Sequence, residues 1–261
     1  MKFAMSSLSV ILIFTQPCAF AAEKSVYEIS PLTDAVVIGV TGLGVLIPHL
    51  FQDQLIHRRC PCNPGEVNGF DRPVVGNASG TAETVSDVTA GLALSVPVAL
   101  DVFDVGFSKE LAEDLTVYLE TLSFNGALNT AAKYLVQRPI PRVYSQEPPE
   151  IVNVSTAYQS FYSGHVSATV SALTATSMTY TLRHGASVWP WLFTAAVSGS
   201  VATERLLAGR HFYTDVIVGL IAGAGVGYLV PKLHELKKEQ PSWSVIPLSS
   251  QGFGLAVMHQ F

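Results

Sequence analysis

The sequence predicts an all-α fold, on three observations. Of its 261 residues, 49% are hydrophobic and only 13% charged, ample apolar material for one large helical domain. That material is gathered into long stretches rather than short alternating runs. Turn-forming Pro, Gly and Asn separate the stretches, and there is no internal repeat, low-complexity block or second domain.

Taken in order, Lys2, the apolar run Leu8–Phe14 and Ala19-Phe-Ala21 have the charged start, short core and small-residue end of a secretory signal peptide, cleaved before Ala22. An uncleaved anchor over residues 1–21 is the alternative. Six helices are expected at Thr33–Phe51, Ser86–Val105, Leu111–Leu135, Ser163–Leu182, Val188–Leu207 and Phe212–Val230. Together they make one domain over residues 22–240. Several approach the about 20 residues that span a bilayer, whereas the second, third and fourth carry Pro97, Asp101, Glu113, Asp114, Glu120 and many Ser and Thr. In the last, Gly219, Gly223 and Gly227 form a small-residue stripe for close helix packing. Cys60 and Cys62 lie in a Pro- and Gly-rich loop, where they pair with each other or with a partner. Residues 68–72 read as a solvated loop, a segment folded over the site being the alternative. The tail, residues 241–261, alternates as a short β-hairpin would.

Net charge −5 and a pI near 5.8 argue against a nucleic-acid surface. The cations cluster instead at three places. Arg205, His211 and Asp215 lie together near one helix start. With Phe212 onward helical, Asp215 falls one turn after His211, where its carboxylate would hold one imidazole nitrogen and leave the other as nucleophile or base. Upstream, Ser163-Gly164-His165 opens a helix whose first N–H groups and dipole favour an anion. Before that, Lys133, Arg138 and Arg142 sit near a helix end stopped by Pro139 and Pro141. Each element alone reads as an ordinary cap or basic helix terminus; three in this order, each at the mouth of an apolar segment, are much harder to assign to capping alone.

With these elements the chain resembles the type 2 phosphatidic acid phosphatase superfamily, which includes class A acid phosphatases and vanadium haloperoxidases. Its signature is Lys, six residues, Arg-Pro; then Pro-Ser-Gly-His; then Ser-Arg, five residues, His, three residues, Asp. Here Lys133 leads to Ile140-Pro141, Tyr162 precedes Ser163-Gly164-His165, and Glu204 precedes Arg205, His211 and Asp215. Isoleucine at 140 cannot bind phosphate, so Arg138 or Arg142 would compensate. The resemblance implies a six-helix up-and-down bundle of the phosphatidic acid phosphatase/haloperoxidase type. It implies that His211 attacks phosphorus, Asp215 orients it and His165 protonates the leaving oxygen. Lys133, Arg205 and the N–H groups around Ser163 and Gly164 would hold the phosphoryl oxygens. No metal or other cofactor is expected, since no His-x-x-x-His pair or His/Cys cluster is present.

The activity implied is hydrolysis of a phosphomonoester on a phosphorylated small molecule or lipid. The alternatives are a vanadate-dependent haloperoxidase and a catalytically impaired protein that only binds phosphate. All three motifs would lie at one end of the bundle. A membrane-associated protein of the bacterial envelope with an external, periplasmic site is expected, with a soluble periplasmic protein as the alternative. Lys232, Lys237 and Lys238 after the sixth helix suit either.

Overall fold

The computed structural model describes residues 25–60, 62–144, 149–236, 242–249 and 252–258. The expected signal segment, with Cys18, and Lys237 and Lys238 lie outside the described residues. Six long helices account for most of the rest: α1 (Pro31–Leu50), α2 (Gly80–Val105), α3 (Lys109–Val136), α4 (Gly164–His184), α5 (Trp189–Leu207) and α6 (Tyr213–His234). The fold is all-α apart from a tail in which β1 (Ser242–Ser249) and β2 (Gly252–Met258) pair antiparallel.

Helix boundaries follow local chemistry. α2 begins six residues before the expected Ser86, because the Ser79 hydroxyl accepts from the Ala82 N–H and caps a polar first turn. Ser108 caps α3 in the same way, and α3 ends at Gln137 in the left-handed conformation, ahead of Pro139. Gly106 and Gly185, both at positive φ, close α2 and α4. α6 starts at Tyr213, not Phe212. The Asp215 carboxylate accepts from the Phe212 N–H at 2.8 Å, which leaves His211 outside the helix.

The glycine stripe of α6 lies on the backbone of α4. A Cβ at Gly223 would stand 2.3 Å from the Ser167 carbonyl oxygen, one at Gly227 would stand 2.4 Å from that of Ser171, and Gly219 faces Ser163. The register advances by four residues on both helices, so α4 and α6 run parallel with their N-termini side by side. α3 runs antiparallel to them, joined by Asn125 to Ser167 and Asn129 to the Tyr162 carbonyl. α5 returns antiparallel to α4 through Val201 on Val166 and Ser177 on Thr194. α1 runs beside α3, with Thr41 on Ser123 and Gly44 on Ala127. The result is an up-and-down bundle. One end gathers the C-termini of α3 and α5 and the N-termini of α2, α4 and α6, which are the positions of all three motifs. At the other end Arg183 is enclosed by Asp101, Asp104 and Asp114.

Among the described residues, three helices, α1, α2 and α6, are long and apolar enough to cross a membrane. Cys60 and Cys62 form a disulfide, and their loop packs against Ile56, Ile140, Val143 and Tyr158. The following segment is not a solvated loop. Asp71 is fully buried, and Val67 and Val74 pack on Phe212, the residue after His211.

Candidate active site

A cavity of about 140 Å³ opens at the motif end, lined by Lys133, Ile140, Thr156, Gln159, His165, Arg205, Arg210 and His211. Of the residues expected from sequence, Lys133, His165, Arg205 and His211 are brought together in its wall. Among the described residues, three cations and no carboxylate line it. Arg205 and Arg210 each carry a buried Nε–H with no protein partner. Buried donors are ordinarily satisfied, so two such guanidinium groups facing one small cavity favour an oxyanion.

His211 is held differently from expectation. Its Nδ1 lies 2.7 Å from the Ser160 carbonyl oxygen and 3.9 Å from Asp215 Oδ2. A carbonyl can only accept, so Nδ1 carries the proton and Nε2 keeps its lone pair. Asp215 acts one step back. Fully buried, it accepts from the Ser160 hydroxyl at 2.5 Å, the Phe212 N–H at 2.8 Å and Arg138 at 2.6 Å, and so fixes the segment whose carbonyl holds the imidazole. Burial, with Arg205 and Lys133 nearby, holds the His211 pKa well below the usual histidine value. The ring is therefore neutral at pH 7, the form a nucleophile requires.

His165, the second residue of α4, is pushed down to about 4 by desolvation, with Arg205 adding to the effect. Its Nε2 lies 2.9 Å from Asp87 Oδ1, and the same oxygen accepts from Arg205 at 3.1 Å. Desolvation and Arg205 lower Lys133 to about 8. The Lys133 ammonium approaches Gly164 so closely that a Cβ there would stand 3.4 Å from Nζ and 2.9 Å from Asn129 Oδ1. Gly164 thus admits the lysine to the start of α4. The Ser163 N–H is not offered to the cavity, because it donates to the Asp215 carbonyl at 3.1 Å, while the Ser163 hydroxyl is buried without a partner among the described residues. The N–H groups left for an anion are those of the first turn from Gly164 onward.

Arg138 and Arg142 do not supply the missing cation. The Arg138 guanidinium sits behind the site over the Phe212 ring, paired with Asp71 at 2.8 Å and Asp215 at 2.6 Å and donating to Thr214. Arg142 pairs with Glu83 at 3.1 Å. Ile140 does face the cavity, as its motif position requires, and Arg210 is the third cation of that wall, braced by Glu83. Glu204 is absent from the wall and accepts from Ser200.

Sequence reading missed Arg210, Asp71, Asp87, Glu83 and Ser160. Only Arg210, adjacent to His211, gave a local signal. The turn before it depends on Gly209 at φ 62°, where a Cβ would collide with the Asn77 carbonyl oxygen at 1.9 Å.

Comparison with curated proteins and with solved structures found no match. A family model does match residues 114–239, described as the PAP2 superfamily. Asp71, Glu83 and Asp87 lie before that stretch, while Lys133, Ser163-Gly164-His165 and Arg205 through Asp215 all lie inside it. The stretch that matches the PAP2 superfamily, residues 114–239, thus carries all three motifs of the site.

Proposed function

We propose that the protein hydrolyses a phosphomonoester through a phosphohistidine on His211. The observation that carries this reading is a neutral imidazole, its Nδ1–H bound to Ser160, in a wall that among the described residues has three cations and no carboxylate. His211 Nε2 attacks phosphorus, the bond to the leaving oxygen breaks, and His165 delivers a proton to that oxygen. His165 then takes a proton from the water that cleaves the phosphohistidine, restoring the free imidazole. Lys133, Arg205, Arg210 and the first N–H groups of α4 stabilise the charge that develops on the equatorial oxygens. Asp71, Arg138, Asp215 and Ser160 are positioning residues behind the nucleophile. The scheme uses no metal.

Three apolar helices support a lipid phosphate as substrate and a membrane-associated envelope protein. The Cys60–Cys62 disulfide supports a site facing an oxidising compartment. Arg210 weighs against an impaired, binding-only protein, because it gives the wall the cation that Ile140 lacks.

The test is to incubate purified protein with a generic aryl phosphate and quench in alkali. An acid-labile, alkali-stable phosphoprotein is expected, absent from His211→Ala. Phosphate release without any trapped phosphoenzyme from rapid quench would overturn the covalent route. Halide oxidation with added vanadate and no phosphate release would replace it with the haloperoxidase reading.

The proton inventory gives a second check. A bound dianion stabilises protonated His165 and raises its pKa from about 4. Between the free and bound values, binding must take up a proton; well above both, it must not. Sulfate binding measured by calorimetry in two buffers near pH 5 should show uptake of up to one proton that is lost in His165→Asn; near pH 8 the uptake that remains belongs to Lys133, whose pKa lies at about 8, and persists in His165→Asn. Equal enthalpies in both buffers at pH 5 would remove His165 from the anion site.

A further inference from the structure

We propose that Asp34, Glu120 and His234 bind one divalent transition-metal ion, zinc being the best match, at the end of the bundle opposite the catalytic cavity. The ligands come from α1, α3 and α6, and their donor atoms lie within 4.8 Å of one another. The sole fully buried residue of α1 is Asp34. Burying a carboxylate on a helix that buries no apolar side chain as completely calls for a positive partner.

No lysine or arginine pairs with Asp34 or Glu120 among the described residues, and one histidine faces both carboxylates. His234 Nδ1 lies 2.9 Å from the Val230 carbonyl, which fixes the proton there and leaves the Nε2 lone pair towards Asp34 Oδ1 and Glu120 Oε2. Those separations are 3.5 and 3.6 Å, longer than the about 2.7–3.2 Å of an N–H···O bond. They suit neighbouring ligands of one ion with bonds of about 2.0–2.2 Å, which stand roughly 3.0–3.6 Å apart. Glu120 Oε2 is buried without a hydrogen-bond partner, and the other Asp34 oxygen is oriented by the Ser30 N–H at 2.9 Å. An imidazole with two carboxylates suits zinc or manganese better than calcium, with open positions for water. The ion would tie α1 to α3 and α6 beside the point where Glu28 and Tyr27 pair with His234 and Glu235.

The test uses the untagged full-length chain, stripped of metal with a chelator and titrated with zinc chloride by calorimetry. One equivalent is expected to bind and to raise the unfolding midpoint, with affinity reduced at least about tenfold in Glu120→Gln and unchanged in His165→Ala. Failure to bind one equivalent, or equal affinity in Glu120→Gln, overturns the proposal. So does loss of binding in His165→Ala, which would place the metal in the catalytic cavity. Should Glu120→Gln fold poorly, cobalt on the unaltered chain decides: d–d bands of a low-coordinate site support the proposal, and the spectrum of the aquo ion overturns it.

Discussion

His211→Ala should lower phosphomonoester turnover by roughly 10⁴-fold or more, the scale seen when a nucleophile is removed from a covalent mechanism. No neighbour can take its place. Lys133, with a pKa of about 8, stays largely protonated at pH 7, and His165 belongs to the leaving-group side. The fold should lose far less: the Ser160 carbonyl forfeits one partner, an effect of about 1–3 kcal/mol. Initial rates with an aryl phosphate measure the first effect and thermal unfolding the second. Added imidazole, small enough for the vacated space, should restore part of the rate. A residual activity within tenfold of the unaltered chain would remove His211 from the chemistry.

Arg138→Ala should act on stability and catalysis together. It leaves Asp71 and Asp215, both fully buried, without the cation that bridges them. Removing one partner of a buried ion pair costs about 3–5 kcal/mol, and the partial exposure of Arg138 puts it at the low end. For a chain of this size that is a fall of at least about 6 °C in midpoint. Turnover should drop by about 10²-fold, because the Asp215 and Ser160 contacts that hold the imidazole lose their anchor. If Arg138 bound phosphate directly, KM would rise while midpoint and kcat held. That pattern, measured by unfolding and full Michaelis curves, would sink the positioning role.

What could be read from the sequence was whatever repeats at fixed local spacing. The six long helices and the three motifs are of this kind, since periodicity and intervals such as Arg205 to His211 survive as geometry within one segment. The residues that set the electrostatics of the site are not. Asp71 meets Arg138 and Thr214, Asp87 meets His165 and Arg205, and Glu83 meets Arg142 and Arg210, each across sequence separations that carry no periodic signal. The orientation of His211 failed for a finer reason. The spacing of four does bring Asp215 to within 3.9 Å of His211, but the cap at Phe212 leaves His211 outside the helix, where the Ser160 carbonyl, 51 residues earlier and at 2.7 Å, takes its Nδ1–H instead.

Gly219, Gly223 and Gly227 bring α6 into backbone contact with α4, and this has a mechanical meaning. His165 opens one of these helices and His211 precedes the other, so the two imidazoles proposed to carry the proton and the phosphoryl group ride on one closely packed helix pair. Lys133 rides on α3, which meets this pair through side-chain hydrogen bonds rather than backbone contact. A bilayer that thickens, thins or bends would then alter how firmly the substrate is gripped well before it alters the distance the proton must travel.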